Sequence, residues 1–248
     1  MRITVSRTFI IKALAFTVFF LTAISLICAY GHYLLQTKYS GFLNQMFNLD
    51  LEKNIPTWYS TCALLFAFQL LTLIALGKTK VRDKYYRHWI ILALFFLYMS
   101  VDEFVSIHER ATAPLVSLLG TSGFFWDAWV LIWGPLTLVF GFCYLRFLLH
   151  LSRQIRRRFV AGGLIFVGGA IGVEMIAANH AWFHGVDNMT YKLLEHAEEF
   201  LEMIGIVIFI SGLLLFINAI EINITADTLR DGTPVNALVS ELRPDVNS

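Results

Sequence analysis

Six apolar runs, each about as long as a bilayer core is thick, constrain this chain more than any other feature. They lie at residues 9–34, 58–76, 89–107, 126–149, 159–178 and 196–220. A helix rising about 1.5 Å per residue crosses a hydrocarbon core of about 30 Å in roughly 20 residues, which each run supplies. With 57% of its 248 residues hydrophobic and 15% charged, the chain has more apolar surface than a soluble domain of this size can bury. The expectation is an all-α, polytopic integral membrane helical bundle of about six transmembrane helices. Short alternating segments of the outer-membrane barrel type are absent. The first run follows Arg2, Arg7 and Lys12 but exceeds a signal-peptide core and lacks a small-residue cleavage pattern, so it is read as a retained helix.

Loop charge gives an orientation. Lys78, Lys80, Arg82, Lys84 and Arg87 separate the second and third runs, and Arg153, Arg156, Arg157 and Arg158 separate the fourth and fifth. The positive-inside rule places both loops, and with them both termini, in the cytoplasm. The same rule accounts for the arginine cluster without nucleic acid. The expected organisation is a transmembrane domain over residues 1–222 and a polar cytoplasmic tail over 223–248. Within the domain, residues 40–56 form an outer interfacial segment: Phe42, Leu43, Met46, Phe47 and Leu49 share one side of a short helix, with Asn44, Gln45 and Asn48 opposite. Trp58, Tyr59, Trp89, Trp126 and Trp129 stand near run ends as interfacial anchors or, alternatively, as the lining of a site mouth.

Familiar chemical motifs are missing. Cys28, Cys62 and Cys143 have no paired spacing, and the chain carries no dinucleotide fingerprint, Walker loop, nucleophile elbow or HExxH. Gly162-Gly163 and Gly168-Gly169, followed by Gly172, point to close helix packing in the fifth run.

The chemistry lies where acids and histidines recur at one end of three runs. These are Asp102, Glu103, His108 and Glu109; Glu174, His180 and His184; and Glu195, His196, Glu198, Glu199 and Glu202, giving eight carboxylates and four histidines. Ionisable groups at membrane depth are costly unless paired, wetted or bound to an ion. Helix rise puts Asp102, Glu103, Glu174 and Glu202 in one layer of the outer leaflet, about 20 Å above the inner boundary. Glu195, Glu198, Glu199 and Glu202 follow the i, i+3, i+4, i+7 spacing of one helix stripe. Four like charges on a stripe call for something positive opposite them. In the third run Asp102 and Glu109 share a stripe, and His108 points away from Asp102 unless the helix ends or kinks there.

Mixed carboxylate and imidazole donors suit iron, manganese or zinc. The expected metal ligands are Asp102, Glu103, His108, Glu109, Glu174, His180, His184, His196, Glu199 and Glu202, with Glu103 and Glu202 as proton-transferring catalytic groups. The expected cofactors are transition metal ions, iron first and manganese or zinc as alternatives. The ligand chemistry is analogous to carboxylate-bridged di-metal bundles, although their Glu-x-x-His element is absent. Plainer readings apply to several of these residues. Glu195, His196, Glu198 and Glu199 fit a wet helix start that favours the helix dipole, Glu103 or Glu109 fits a pair with Arg110, His180 and His184 fit a loop approach, and Asp127 fits an N-terminal cap.

The leading functional expectation is a membrane-embedded, non-haem di-metal oxidoreductase acting on a quinol, lipid or other apolar substrate. Its site would face the extracytoplasmic side of a plasma or bacterial inner membrane. A metal-dependent lipid hydrolase, a proton or cation transporter or sensor, a structural membrane subunit and a two-histidine haem protein are the alternatives. Expected partners are membrane lipids, a lipid-like substrate, and a second copy or another membrane subunit.

Overall fold

The computed structural model describes residues 6–35 and 38–230. Expectations for Arg2 and for residues 231–248 of the tail lie outside them. Among the described residues there is no strand, and six helices are long and apolar enough to cross a membrane.

In chain order the helices are α1 (Arg7–Leu35), α2 (Lys38–Phe47), α3 (Ile55–Lys80), α4 (Tyr86–Val105), α5 (Ile107–Leu119), α6 (Val130–His150), α7 (Arg153–Val167), α8 (Glu174–His184) and α9 (Met189–Arg230). A π turn, Gly168–Val173, joins α7 to α8, and together they make the fifth long segment, Arg153–His184. The α9 helix begins seven residues before the expected start of the sixth run and continues past Asn223, where the polar tail was expected to begin.

Chain breaks follow local chemistry. The Asn54 side chain accepts from the Thr57 amide at 3.1 Å and Pro56 occupies the first turn, so α3 starts earlier than its apolar run. Ser106 ends α4 in the left-handed region at φ 55° and redirects the chain into α5. At the basic end, Asp83 accepts from Lys78 Nζ at 2.9 Å and from the Tyr85 amide at 2.8 Å, closing the α3–α4 turn.

The core is apolar and lies toward the basic end. Trp89 is buried against Phe147, Phe159 and Phe216, and Phe96 and Phe159 both stack on Phe209. Trp89 is therefore a core residue and not an anchor, whereas Trp58 remains exposed. The α7 and α9 helices touch along glycines: a Cβ on Gly205 would lie 2.7 Å from the Phe166 amide nitrogen, and one on Gly162 would lie 2.7 Å from the Gly205 carbonyl oxygen. Helix α6 meets α4 through its aromatic side chains, Phe140 on Phe95 and Phe147 on Trp89, and a cavity fills the space between it, α4 and α7.

Candidate metal centre

The left-handed break at Ser106 turns His108 back over the end of α4. The His108 amide donates to Asp102 Oδ1 at 3.0 Å, and its ring Nδ1 lies 2.7 Å from Asp102 Oδ2. An uninterrupted helix would have kept the two apart. Both Asp102 oxygens are thereby engaged, so Asp102 orients the imidazole, as carboxylates do beside metal-binding histidines. Burial alone would lower the His108 pKa, but the Asp102 hydrogen bond and the surrounding carboxylates outweigh it and hold the pKa above its ordinary value.

Glu174 follows directly on the π turn, a local irregularity that recurs at functional sites. Trp129 is buried and donates its indole N–H to Glu174 Oε1 at 3.0 Å, so it belongs to the site and is no interfacial anchor. Opposite, Gly169 lets α9 approach: a Cβ there would sit 2.8 Å from the Glu198 carbonyl oxygen. This approach brings carboxylate oxygens of Glu174, Glu195 and Glu198 within 4.8 Å of one another. Glu198 is only 9% exposed, and its Oε2 has no hydrogen-bond partner among the described residues; neither has Glu195 Oε1.

The trio opens into a cavity of about 740 Å³. On α9 its wall includes Glu195, Glu198, Glu199 and Glu202; on α4 and α5 it includes Asp102, Glu103, His108 and Glu109. Glu174, Asp127, Asp50 and Glu52 bring the total to eleven carboxylates, with one histidine and no Lys or Arg among the described lining residues. Because α9 starts at Met189, Glu195 to Glu202 occupy its second to fourth turns and face the cavity, not a wet helix start.

Three expected ligands point elsewhere. His196 is buried, with Nε2 at 2.8 Å from Ser25 Oγ and Nδ1 at 2.6 Å from the Lys192 carbonyl, so both ring nitrogens are committed and the ring does not line the cavity. His180 Nε2 meets Asn188 Oδ1 at 2.8 Å, and its ring packs on His184; neither histidine lines the cavity. Glu103, Glu199 and Glu202 line the same cavity as Glu174, but the tight trio is formed by Glu174, Glu195 and Glu198.

Two residues that the sequence reading passed over, Asp50 and Glu52, come from the loop before α3. Asp50 lies 3.7 Å from Lys192 Nζ, and burial raises its pKa despite that lysine. Glu52 keeps an accessible surface at the cavity mouth; partial desolvation, followed by the Glu109 charge, raises it to about 7. The signal for them was Asn54-Ile55-Pro56, a cap that starts α3 early and brings Glu52 to the level of the other acids. Asp127, expected as a cap, lines the cavity; α6 begins at Val130 without a side-chain cap.

Fold and site together define an all-helical chain, compatible with an integral membrane protein, that encloses an acid-lined cavity at one end. The chain belongs to the family described as Domain of unknown function (DUF8692), whose model matches residues 13–217 and so reaches into all six long segments and covers every cavity-lining residue. No curated protein and no solved structure matches it.

Proposed function

We propose that the chain is a membrane-embedded metalloenzyme, a non-haem di-metal oxidoreductase acting on an apolar substrate, with its acid end on the extracytoplasmic side and its termini in the cytoplasm. The observation that carries this reading is the buried, unpartnered Glu198 Oε2 within a trio of converging carboxylates. Leaving such an acceptor without a donor is costly; a proton shared between two carboxyls would serve one pair, whereas a cation serves all three groups at once.

The donor set fits iron or manganese better than zinc. With His180, His184 and His196 directed elsewhere, His108 is the single imidazole among hard carboxylate oxygens. One ion is assigned to Glu174, Glu195 and Glu198. A second is assigned to Glu103, Glu199 and Glu202, with His108 beside them. Such ions supply one-electron redox chemistry when bound. The chain's own residues orient and exclude: Asp102 fixes the His108 ring, Trp129 fixes Glu174, and the aromatic core closes the basic side. Glu103 and Glu202 are placed to take protons released by the substrate. The closed apolar core also counts against a cation path through the bundle.

Elemental analysis of detergent-purified protein, expressed with iron and manganese supplied, tests the reading. About one or two tightly held transition metal ions are expected, without a Soret band, and Glu174→Gln combined with Glu198→Gln should lose at least one. Absence of any transition metal, or full occupancy in the double variant, would overturn the assignment.

A further inference from the structure

We propose that the inner arm of the cavity is the tail site of a membrane amphiphile whose head bears a hydroxyl and no anionic group, admitted sideways between α4 and α6. This deepens the oxidoreductase reading, on which the identity of the acid end as the reacting end rests.

Three helices each give the cavity one continuous face that changes from acidic to apolar. On α4 the face runs from Asp102 and Glu103 to Met99, Tyr98 and Phe95. On α6 and the turn before it the face runs from Asp127 and Trp129 through Trp133 and Leu136 to Phe140, and on the α7–α8 segment from Glu174 through Ala170 to Phe166. At helical rise these faces extend about 10 to 16 Å from the acids toward the bundle centre. An amphiphile in the outer leaflet has the same polarity along the same axis, head outward and tail toward the midplane.

The cavity also has a side. Tyr98 and Leu136 line it while remaining 36% and 59% exposed, and α6 meets α4 there through side chains alone. Across this seam Trp133 Nε1 donates to Tyr98 Oη at 3.1 Å and Phe95 stacks on Phe140, so a hydrocarbon chain enters the arm by parting one hydrogen bond and one aromatic pair and otherwise meets only apolar surface. At the head end the cavity is lined by eleven carboxylates and no Lys or Arg; two bound divalent ions would offset about four of those charges, so the remaining acids still disfavour a phosphate, whereas a hydroxyl can donate to any of them. The walls therefore select the tail, and the acids select the head.

The test uses the full chain in phosphatidylcholine nanodiscs and a long-chain primary alcohol carrying a diazirine in its tail. The same tail on a phosphate monoester is the comparison probe, and metal content is measured on every sample. Photolabelling should give adducts on Phe95, Met99, Phe140 or Phe166, favouring the alcohol by about tenfold. Leu136→Trp and Ala170→Phe should each reduce them severalfold, whereas Leu138→Trp, on the exposed face of α6, should not. Equal labelling by the two probes, adducts confined to Leu138 and Phe142, or an equal loss in Leu138→Trp would overturn the proposal. Alcohol adducts on the cavity wall without bound metal would support the tail site and overturn the metal reading. Metal retained with the wall unlabelled would do the reverse.

Discussion

Replacing Ser25 by Ala should destabilise the bundle far beyond the value of one hydroxyl. The Leu49 amide donates to Ser25 Oγ at 2.9 Å, and Ser25 Oγ lies 2.8 Å from His196 Nε2. His196 Nδ1 faces the Lys192 carbonyl at 2.6 Å. A carbonyl only accepts, so Nδ1 carries the ring proton, Nε2 is bare, and the Ser25 proton must point at Nε2. Ser25, Leu49 and His196 are all buried. Ser25→Ala thus orphans two buried groups, an amide donor and a ring acceptor, each at about 1–3 kcal/mol, for about 2–6 kcal/mol in total. For a chain of this size that is a fall in Tm of about 4–24 °C, measurable by tryptophan fluorescence in detergent. Leu49 also begins the loop that carries Asp50 and Glu52 over the cavity, so trypsin should cleave after exposed Lys53 more rapidly in the variant. A Tm change below about 2 °C with unchanged cleavage would refute the assigned hydrogen-bond chain.

Gly205→Ala should cost several kcal/mol or prevent folding, because its Cβ would lie 2.7 Å from backbone, whereas Gly163→Ala, with nothing within 4 Å, should leave thermal unfolding nearly unchanged. Asp102→Asn should lower metal affinity by about 10–100-fold in a competitive chelation titration by releasing the His108 ring, while leaving the cavity residues in place. Burial alone would raise the Asp83 pKa, but Lys78 and the Tyr85 amide outweigh it and hold the pKa below the ordinary 3.8. Its contribution is therefore fully present above pH 3.8 and is lost as pH falls through the folded-state pKa. Asp83→Asn should cost about 1 kcal/mol at neutral pH, and the gap to the unsubstituted protein should close below pH 3.8 in pH-dependent melting.

The long helices and the acid layer were legible because both depend on local rules, namely run length and helix rise. Glu103, Glu174 and Glu202 sit inside apolar sequence, where an acid is conspicuous, and all three line the cavity. His196 illustrates what periodicity misses: it neighbours two cavity acids, yet its side of α9 meets Ser25 and Leu49, a contact between residues more than 140 positions apart. Glu52 was hidden for the opposite reason, since its loop has no periodicity and its place depends on how Asn48 and Asn54 fold the turn. The Asp102–His108 contact turned on one backbone angle at Ser106, a residue with no strong preference for the left-handed region.

The carboxylate trio makes a prediction whose sign depends on metal. At an effective dielectric of about 20, two carboxylate charges 4.8 Å apart repel by roughly 3 kcal/mol, so three fully ionised groups would carry roughly 10 kcal/mol, comparable to the whole stability of a typical domain. Partial protonation relieves much of this in the empty protein, but the remainder favours any change that removes a charge. Glu198→Gln removes two of the three repulsions and should stabilise chelator-treated protein by about 1–3 kcal/mol. A bound divalent ion turns the same charges into attractions and stabilises the fold by about 2.7 kcal/mol at a hundredfold excess over Kd. In metal-loaded protein the substitution should therefore destabilise. Melting of both proteins with and without chelator reads the reversal directly. A structural carboxylate network would give one sign under both conditions, and that result would remove the physical basis for placing an ion among Glu174, Glu195 and Glu198.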